Sequence, residues 1–366
     1  MKRVVGRLVA VMLGVAVAVM IGEVAVRFAA PQPLQHIQLD DQIYFVNRPL
    51  ARFTYAREGE YSIDVAYNAW GFRGPIPDSI AAPGTTRILL IGDSQTEGLQ
   101  VRLEETYGEV LRRTLERLLS DRRFEVVNLG VSAYGTHQEV LTLRRYGARV
   151  RPCWVVLGFY PDNDLTDNVR LPLVTEGADG VQLAEHRYSP GHRMWLSTKV
   201  WLASVSHLYT FSVSRIKALV SQSSLARGGI SEPLTPANEG MSRPIRLTEH
   251  LLHIARRDTN RLGARFLVLM IPARSQVMRP EPPTPTVLDD IEQQFASWFA
   301  RERIASISPL TSLREAYLRG ERPFFKRDGH MNSTGHRVVG EALAHRMAPL
   351  IAEESRQGSC PQEQRR

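Results

Sequence analysis

Two short segments, more than two hundred residues apart, carry the side chains of an activated serine nucleophile. The apolar run 88–91 stops at Gly92-Asp93-Ser94, which predicts a buried strand that delivers Ser94 at its carboxyl end. The second segment is Asp328-Gly329-His330. A serine hydroxyl is a poor nucleophile until an imidazole removes its proton, and the imidazole needs a carboxylate to fix its tautomer. Together the two segments offer a nucleophile, a base and an orienting carboxylate.

Strands and helices alternate along the chain on both sides of these segments. Predicted strands cover residues 87–92, 124–129, 153–159, 265–271 and 304–307. Predicted helices cover residues 104–120, 136–146, 248–262, 287–301 and 333–351. This alternation predicts an α/β fold with five parallel strands and helices on both faces of the sheet.

Length and composition indicate one main domain with an insertion. The chain has 366 residues, of which 43% are hydrophobic and 23% charged, and these fractions argue against a disordered or fibrous protein. The predicted organisation is an amino-terminal segment 1–30, a linker 31–85 that packs on the domain edge, a main domain 86–352 with an insertion at 167–244, and a polar tail 353–366.

Apolar residues recur at roughly helical spacing within the insertion, from Trp195 to Val220, and a loop rich in Ser, Gly and Pro follows. One interpretation is a lid or an acyl-binding surface that includes Trp201 and Tyr209. The other is a helix that covers the sheet edge, which we favour because apolar helix stripes usually pack into a core.

The amino terminus resembles a membrane segment. A basic start precedes an apolar run over residues 8–22, which spans about 22 Å as a helix, less than the roughly 30 Å hydrocarbon core of a bilayer. Glu23 and Arg27 stand where a signal peptidase would need small residues. We therefore expect an uncleaved signal anchor through residues 4–30, with the remaining chain periplasmic or otherwise extracytoplasmic. The alternative is a secreted protein released by signal cleavage.

Charge and cysteines restrict the partners. The net charge of +8 comes from scattered arginines, without a basic stripe interleaved with aromatic residues, so no nucleic-acid partner is expected. The positive net charge indicates only a general attraction to an anionic lipid or glycan. Outside the cytoplasm Cys153 and Cys360 could form a disulfide. Because Cys153 opens a predicted buried strand and Cys360 lies in the polar tail, we instead expect a buried thiol and a loose one. Neither has a metal-ligand companion, and no metal or organic cofactor is expected.

Four sequence blocks, in order, resemble the motifs of the SGNH (GDSL-type) hydrolases across roughly residues 86 to 350. The blocks are Gly92-Asp93-Ser94-Gln95-Thr96-Glu97-Gly98, Asn128-Leu129-Gly130-Val131-Ser132-Ala133-Tyr134-Gly135, Gly158-Phe159-Tyr160-Pro161-Asp162-Asn163-Asp164, and Asp328-Gly329-His330-Met331-Asn332 with Gly335-His336. The resemblance implies a three-layer flavodoxin-like sandwich without a cofactor. Many members separate the Asp and His by two residues, whereas only Gly329 separates them here, as in some relatives that act on acetylated polysaccharides.

The resemblance also implies roles for individual residues. Ser94 becomes the nucleophile, His330 the base and Asp328 its orienting partner, while the Ser94 and Gly130 amides and the Asn163 side chain form an oxyanion hole. A glycine suits position 130 because a side chain there could crowd the substrate. The blander alternative for Ser94 is a cap of the following helix.

The implied activity is that of a serine esterase that cleaves an acyl ester, such as an acetyl ester on a glycan or a lipid, through an acyl-serine intermediate. Two alternatives stay open at this point. One is an O-acyltransferase that modifies an envelope glycan, and the other is a non-catalytic glycan-binding or assembly subunit. The acyl length, the alcohol and the oligomeric state are not determined by the sequence.

Overall fold

The structure is a computed structural model that describes residues 2–170, 174–177, 180–183, 189–226 and 239–357. The chain divides into two compact units. The smaller unit consists of residues 1–39 and 188–233, and the larger unit consists of residues 40–187 and 234–366.

The strands, in chain order, are β1 Ile37–Asp40, β2 Tyr44–Asn47, β3 Arg52–Arg57, β4 Tyr61–Ala66, β5 Thr85–Gly92, β6 Arg123–Asn128, β7 Trp154–Phe159, β8 Val174–Gly177, β9 Gly180–Leu183, β10 Arg265–Met270 and β11 Ala305–Ile307. The helices are α1 Lys2–Ala29, α2 Ser94–Glu97, α3 Tyr107–Leu118, α4 Thr136–Val150, α5 Pro161–Arg170, α6 Pro190–Val205, α7 His207–Ala226, α8 Glu239–Arg261, α9 Arg274–Val277, α10 Val287–Glu302, α11 Leu310–Leu318 and α12 Ser333–Gln357. A short 3₁₀ helix, Leu103–Glu105, precedes α3.

A five-stranded sheet in the order β11-β10-β7-β5-β6 forms the centre of the larger unit, and every neighbouring pair is parallel. Numbered by their order in the chain, these strands are arranged 2-1-3-4-5, which is the flavodoxin-like order. The direction of winding reverses between β5 and β7, and open α/β sheets bind their ligands at such a switch point. The predicted α/β class and the five parallel strands are confirmed.

Alternate strand residues enter two separate cores, one on each face of the sheet. Leu89 and Val155 pack with residues of α4, α8 and α10. Leu90 and Val156 pack with residues of α3, α11 and α12. Because both faces are covered, the strands read as continuous apolar runs, the pattern typical of buried parallel strands. The three-layer arrangement is thus a direct consequence of that pattern.

The predicted boundaries of the five sheet strands lie within two residues of those in the structure. Helix α8 begins at Glu239, nine residues before its predicted start at Thr248. It includes Pro244, a residue type that usually marks a helix end. The turn-rich stretch 31–85 contains four strands, of which β3 and β4 form an antiparallel hairpin in the larger unit.

The expected pair of free thiols is wrong, because Cys153 is disulfide-bonded. The only other cysteine in the chain, Cys360, lies outside the described residues. Helix α12, the last described element, passes near the start of β7. Its residue Leu350 lines the same surface cavity as Trp154 and Arg265, at the amino ends of β7 and β10.

The predicted apolar insertion contains α6 and α7 of the smaller unit, while residues 227–238 of its polar loop lie outside the described residues. Trp201 and Leu219 are 59% and 65% exposed, so these two apolar side chains are not buried. Helix α1 is long and apolar enough to cross a membrane, which fits either a signal anchor or a signal peptide.

Gly340 provides a test of how closely the helices on one face of the sheet must pack. A methyl group added there would lie 2.6 Å from Val110 Cβ and 2.7 Å from the Tyr107 carbonyl oxygen of α3. We expect Gly340→Ala to lower the free energy of unfolding by about 1–3 kcal/mol, because overpacking strains a filled core. Denaturant titration followed by near-ultraviolet circular dichroism measures the change. Gly329→Ala, where no heavy atom lies within 4 Å of the added carbon, is the control; equal stabilities of the two variants would contradict the packing argument.

Candidate active site

Ser94 lies at the carboxyl end of β5, at the switch point of the sheet. Asp93 has extended backbone angles, and its carboxylate accepts the Gln95 amide hydrogen at 2.9 Å, so Asp93 is the cap of α2. Ser94 is the first residue of that helix. Its hydroxyl is therefore not the helix cap, which removes the blander interpretation of this serine.

The structure brings Ser94, His330 and Asp328 together in one hydrogen-bonded chain. The Ser94 Oγ atom lies 2.8 Å from His330 Nε2, and His330 Nδ1 forms a short hydrogen bond with Asp328 Oδ1. An ionised carboxylate can only accept, so Nδ1 carries the proton and Nε2 is free to accept the serine hydroxyl. This is the tautomer that a general base on Ser94 requires.

The single residue between Asp328 and His330 is sufficient because the loop folds tightly. Asp328 Oδ1 accepts the His330 backbone amide at 3.1 Å as well as the imidazole. Below the loop, the Phe325 amide donates to the His330 carbonyl at 3.1 Å, and Phe324 pairs with Met331 as an antiparallel bridge. This narrow hairpin turns both side chains toward each other.

Two residues of the β3–β4 hairpin hold this loop, and sequence reasoning missed both. The Tyr61 hydroxyl donates to Asp328 Oδ2 at 2.7 Å. The Glu60 carboxylate accepts the backbone amides of Arg327 at 2.6 Å and Asp328 at 3.1 Å. These partners lie 267 and 268 residues apart in the chain, and no local signal in the turn-rich stretch indicates the contact.

The donors around Asp328 decide its ionisation. Burial alone would raise the pKa of Asp328, but the hydrogen bonds from His330 and Tyr61 outweigh burial and hold this pKa well below its ordinary value. Burial and the neighbouring Asp328 raise the pKa of Tyr61, so the phenol stays protonated and remains a donor. The carboxylate is therefore charged whenever His330 needs a counter-charge.

Asn163 lies on α5, after β7, and its side chain is tied to the start of α2. The Asn163 Nδ2 atom donates to Asp93 Oδ2 at 3.0 Å. An amide nitrogen carries two hydrogens, so one remains for an oxyanion beside Ser94. Burial raises the pKa of Asp93 to about 6, against the lowering effect of the Asn163 hydrogen bond.

Gly130 lies beside α2, and its backbone amide already has a hydrogen-bond acceptor. Its amide donates to Asn128 Oδ1 at 2.8 Å and is thus already engaged. A side chain at this position would collide with α2, since an added Cβ would lie 2.6 Å from the Glu97 amide nitrogen. Close packing against the nucleophile helix, rather than room for a substrate, is therefore the reason that the structure gives for this glycine.

Glu97 ends α2 and anchors it to the rest of the larger unit. This buried carboxylate accepts hydrogen bonds from Asn47 Nδ2 at 2.9 Å, the Tyr67 hydroxyl at 2.7 Å and the Ser132 amide at 2.7 Å. The buried Arg73 guanidinium donates to the backbone carbonyls of Glu97, Gly98 and Val101. Residues 47–73, which sequence reasoning assigned to a linker, thus brace the serine loop.

Two other polar residues of the sequence blocks have structural roles. Asp164 accepts the Tyr160 amide at 2.7 Å and so braces its own loop. His336 is buried and lies 3.2 Å from the Tyr107 amide, which donates to its Nδ1. Burial lowers the pKa of His336 to about 3, so the ring is neutral and can accept a hydrogen bond.

Within the described ranges, no group of three or more His, Cys, Asp or Glu residues is arranged to hold a metal ion.

Comparison with known proteins agrees with this architecture. Residues 232–364, about the last third of the chain, match the family model described as "SGNH hydrolase-like domain, acetyltransferase AlgX". The match includes Asp328 and His330, whereas Ser94, Gly130 and Asn163 precede it. This match confirms the resemblance to SGNH hydrolases.

Several solved structures match this chain at low sequence identity. The acetylxylan esterase Axe2 of Geobacillus stearothermophilus is 14% identical, with 74% of this chain and 96% of that chain covered and a TM-score of 0.40. A member of the lipolytic G-D-S-L family from Veillonella parvula is 12% identical, with coverages of 73% and 98% and a TM-score of 0.40. The hydrolase LAE5 from the metagenome of Lake Arreo, Spain, is 14% identical, with coverages of 72% and 96% and a TM-score of 0.42. No curated protein matches the sequence significantly.

Because Ser94 and His330 form one hydrogen-bonded unit, we expect their substitutions to be non-additive. Ser94→Ala, His330→Ala and the double variant should each lower kcat/KM for an aryl acetate by a similar factor, on the order of 10⁴- to 10⁶-fold. Steady-state kinetics of the purified full-length chain measure this. Ser214→Ala, an exposed serine of α7, is the control. A double variant whose loss equals the product of the single losses would show that the two residues act independently.

The contact between Tyr61 and Asp328 gives a second kinetic prediction. Tyr61→Phe removes one donor to the carboxylate and should lower kcat by about 3- to 30-fold with little change in KM, since a hydrogen bond to a charged group contributes about 1.5–3 kcal/mol and His330 still holds Asp328. Tyr317→Phe, on α11, is the matched control. An unchanged kcat in Tyr61→Phe would mean that the hairpin does not tune the triad.

Proposed function

We propose that this protein is a membrane-anchored serine enzyme that takes an acyl group, an acetyl group in the simplest case, from an ester through an acyl-Ser94 intermediate. The single observation that carries the proposal is the continuous chain of hydrogen bonds from Tyr61 through Asp328 and His330 to Ser94. A non-catalytic glycan-binding subunit would need no activated serine, and this argues against that alternative.

The reaction begins when His330 Nε2 removes the Ser94 proton and Ser94 Oγ attacks the ester carbonyl. The imidazolium that forms is stabilised by the ionised Asp328. The tetrahedral intermediate then collapses as His330 returns the proton to the leaving alkoxide, and the alcohol departs. Deacylation repeats these steps with an incoming hydroxyl group, which His330 deprotonates before it attacks the acyl carbon.

The proposed oxyanion hole has two hydrogen-bond donors. The Ser94 amide heads α2, where a helix amide has no acceptor within its own helix. The free hydrogen of the Asn163 amide is the second donor, and Asp93 fixes its orientation. Loss of one oxyanion donor typically lowers kcat by about 10²- to 10³-fold. The engaged amide of Gly130 contributes only after it releases Asn128.

The disulfide at Cys153 supports an extracytoplasmic location for the catalytic domain, because disulfides persist in oxidising compartments and are rare in the cytosol. The positively charged start of α1 supports the same orientation, with the amino terminus in the cytoplasm. We therefore propose that α1 is retained as an anchor through residues 4–30 and that the larger unit is periplasmic.

Transfer of the acyl group to a sugar hydroxyl is the second candidate function, and the family description, which names an acetyltransferase, favours it. The acyl-Ser94 intermediate is common to hydrolysis and transfer. Only the incoming nucleophile differs, water in one case and a glycan hydroxyl in the other. The proposed partners are therefore an acyl ester donor and, for transfer, a glycan acceptor.

Labelling with a fluorophosphonate tests the shared chemistry. Wild-type protein should be labelled stoichiometrically on Ser94, and Ser94→Ala should lose the label, because only an activated serine attacks the phosphorus at an appreciable rate. Ser214→Ala should retain it. A wild-type chain that stays unlabelled under conditions that label a known serine esterase would remove the enzyme proposal.

The fate of the acyl group separates the two candidate functions. With a radiolabelled acetyl donor, a hydrolase releases acetate at the same rate whether or not a polysaccharide is added. A transferase moves the label to the polysaccharide at the expense of free acetate, since a bound hydroxyl competes with water for acyl-Ser94. Label on the glycan that persists with Ser94→Ala would show that another group carries the acyl intermediate.

A further inference from the structure

The helices α6 and α7 of the smaller unit expose an unusual amount of apolar surface. Within residues 190–226, the exposed fractions are 71% for Met194, 54% for Trp195, 59% for Trp201, 59% for Ile216 and 65% for Leu219. Helices of water-soluble domains normally turn such side chains into a core. Clustered exposed apolar side chains of this size mark a surface that contacts something other than water.

A set of polar contacts, which we call the Glu23 clamp, fixes the junction of α6 and α7 to the end of α1. The Glu23 carboxylate accepts the backbone amides of His207 and Leu208, each at 3.0 Å. It also accepts the Ser206 hydroxyl at 2.8 Å and pairs with Arg27 at 3.0 Å. The carboxylate therefore satisfies the free amides at the start of α7, as a helix cap does.

Further contacts extend the clamp along the segment that follows α1. The Arg27 guanidinium donates to the Val205 carbonyl at 3.1 Å, at the end of α6. The Gln32 amide donates to His207 Nδ1 at 2.8 Å. Gly22 allows α1 to approach α7 closely, since an added Cβ would lie 3.1 Å from a Leu208 methyl carbon. The α6–α7 pair is thus built onto the last turns of α1.

The position of the clamp along α1 places it near a bilayer surface. An apolar run of residues 8–22, about 22 Å long as a helix, ends directly before Glu23. Charged groups at this boundary are tolerated when they pair and reach the headgroups, whereas they are costly in the hydrocarbon centre. The contacts with the α6–α7 junction give both Glu23 and Arg27 hydrogen-bond partners at the point where the apolar run of α1 ends.

The composition of the α6–α7 pair complements a phospholipid surface. Residues 190–226 contain four basic residues, Arg193, Lys199, Arg215 and Lys217, and no Asp or Glu. Lys199 Nζ lies 4.1 Å from the ring centroid of Trp195, so a cation and an interfacial aromatic ring occupy the same patch. Tryptophan is enriched at membrane interfaces, and basic residues near the surface bind anionic headgroups.

We infer that the α6–α7 pair lies in the boundary between the headgroups and acyl chains of the membrane that α1 spans, held there by the Glu23 clamp. The occupant of its apolar face is phospholipid, because this face is continuous with the anchor. The insertion is then a second membrane contact of the smaller unit. This inference goes beyond acyl transfer, and its test needs no enzymatic readout.

Photo-crosslinking tests the inference in the full-length chain. Benzoylphenylalanine replaces Trp201 on α6 or Ile216 on α7, and the protein is reconstituted into phosphatidylcholine and phosphatidylglycerol vesicles that carry a radiolabelled phospholipid. Both positions should form lipid adducts on irradiation. Leu318 on α11 of the larger unit is the matched control, since its exposed fraction is 57% against 59% at each test position, and it should form none.

Every other result contradicts the inference. Adducts between two copies of the chain at positions 201 and 216 would assign the face to a dimer, and absence of any adduct would assign it to water. Equal lipid labelling at Leu318 would show contact without selectivity. Intact mass of the reconstituted protein monitors α1, and loss of α1 before reconstitution would remove the clamp and the inference with it. Two probe positions on separate helices guard against a local folding defect at either one.

Discussion

The close approach of one short helix to three strand ends is the constraint on which the active site depends. Thr96, in the middle of α2, lies very close to three glycines of the sheet and its loops. A Cβ added at Gly92, Gly158 or Gly130 would lie 2.0, 2.5 or 2.8 Å, respectively, from the Thr96 side chain. Any side chain at these positions would lift the helix from the sheet. Because these three positions are glycines, α2 packs directly against the carboxyl edge of the sheet. The position of Ser94 relative to Asn163 is thereby fixed.

Electrostatics then separate Asp328 from three other carboxyl groups of the larger unit. Asp93, Glu139 and Asp164 are buried, and burial raises the pKa of each above its ordinary value. Asp328 alone among these four has a lowered pKa, because two donors compensate for its burial. Asp328 thus keeps a negative charge beside the His330 ring, while the other three acids tend toward the neutral state. Similar residue types therefore take different roles through their hydrogen-bond partners.

Sequence patterns predicted the sheet, its helices and the Ser94, Asp328 and His330 set because each rests on a local signal. Buried parallel strands are continuous apolar runs, and the serine and histidine blocks follow such elements. The supporting residues have no such signal. Helix α2 has only four residues, too few to show a period, and β3 alternates between exposed and partly buried residues without a strong apolar face. The contact of Tyr61 with Asp328 and the disulfide of Cys153 join residues that are distant in the chain and become neighbours only in the folded structure.

Apolar helical spacing predicted the helices of the insertion but not what those helices contact. The periodicity of residues 195–220 correctly indicated helices, but hydrophobicity alone does not say whether the partner of an apolar face is a protein core or another medium. The polar residues that bind the junction of α6 and α7, Glu23 and Arg27, lie almost two hundred residues earlier in the chain. Their contacts with α6 and α7 are tertiary, and only the structure brings them together.

The sequence separation of Ser94, Asp328 and His330 has a consequence for when their hydrogen bonds form during folding. The hydrogen bond between Ser94 and His330 joins residues 236 positions apart, and the bond between Tyr61 and Asp328 joins residues 267 positions apart. Contacts between such distant residues form only after large loops have closed, so they appear late in folding. A nascent chain that has already emerged past β5 carries an ordinary serine hydroxyl without a base. The hydrogen-bonded set around Ser94 is therefore completed only with the fold, after synthesis has passed His330.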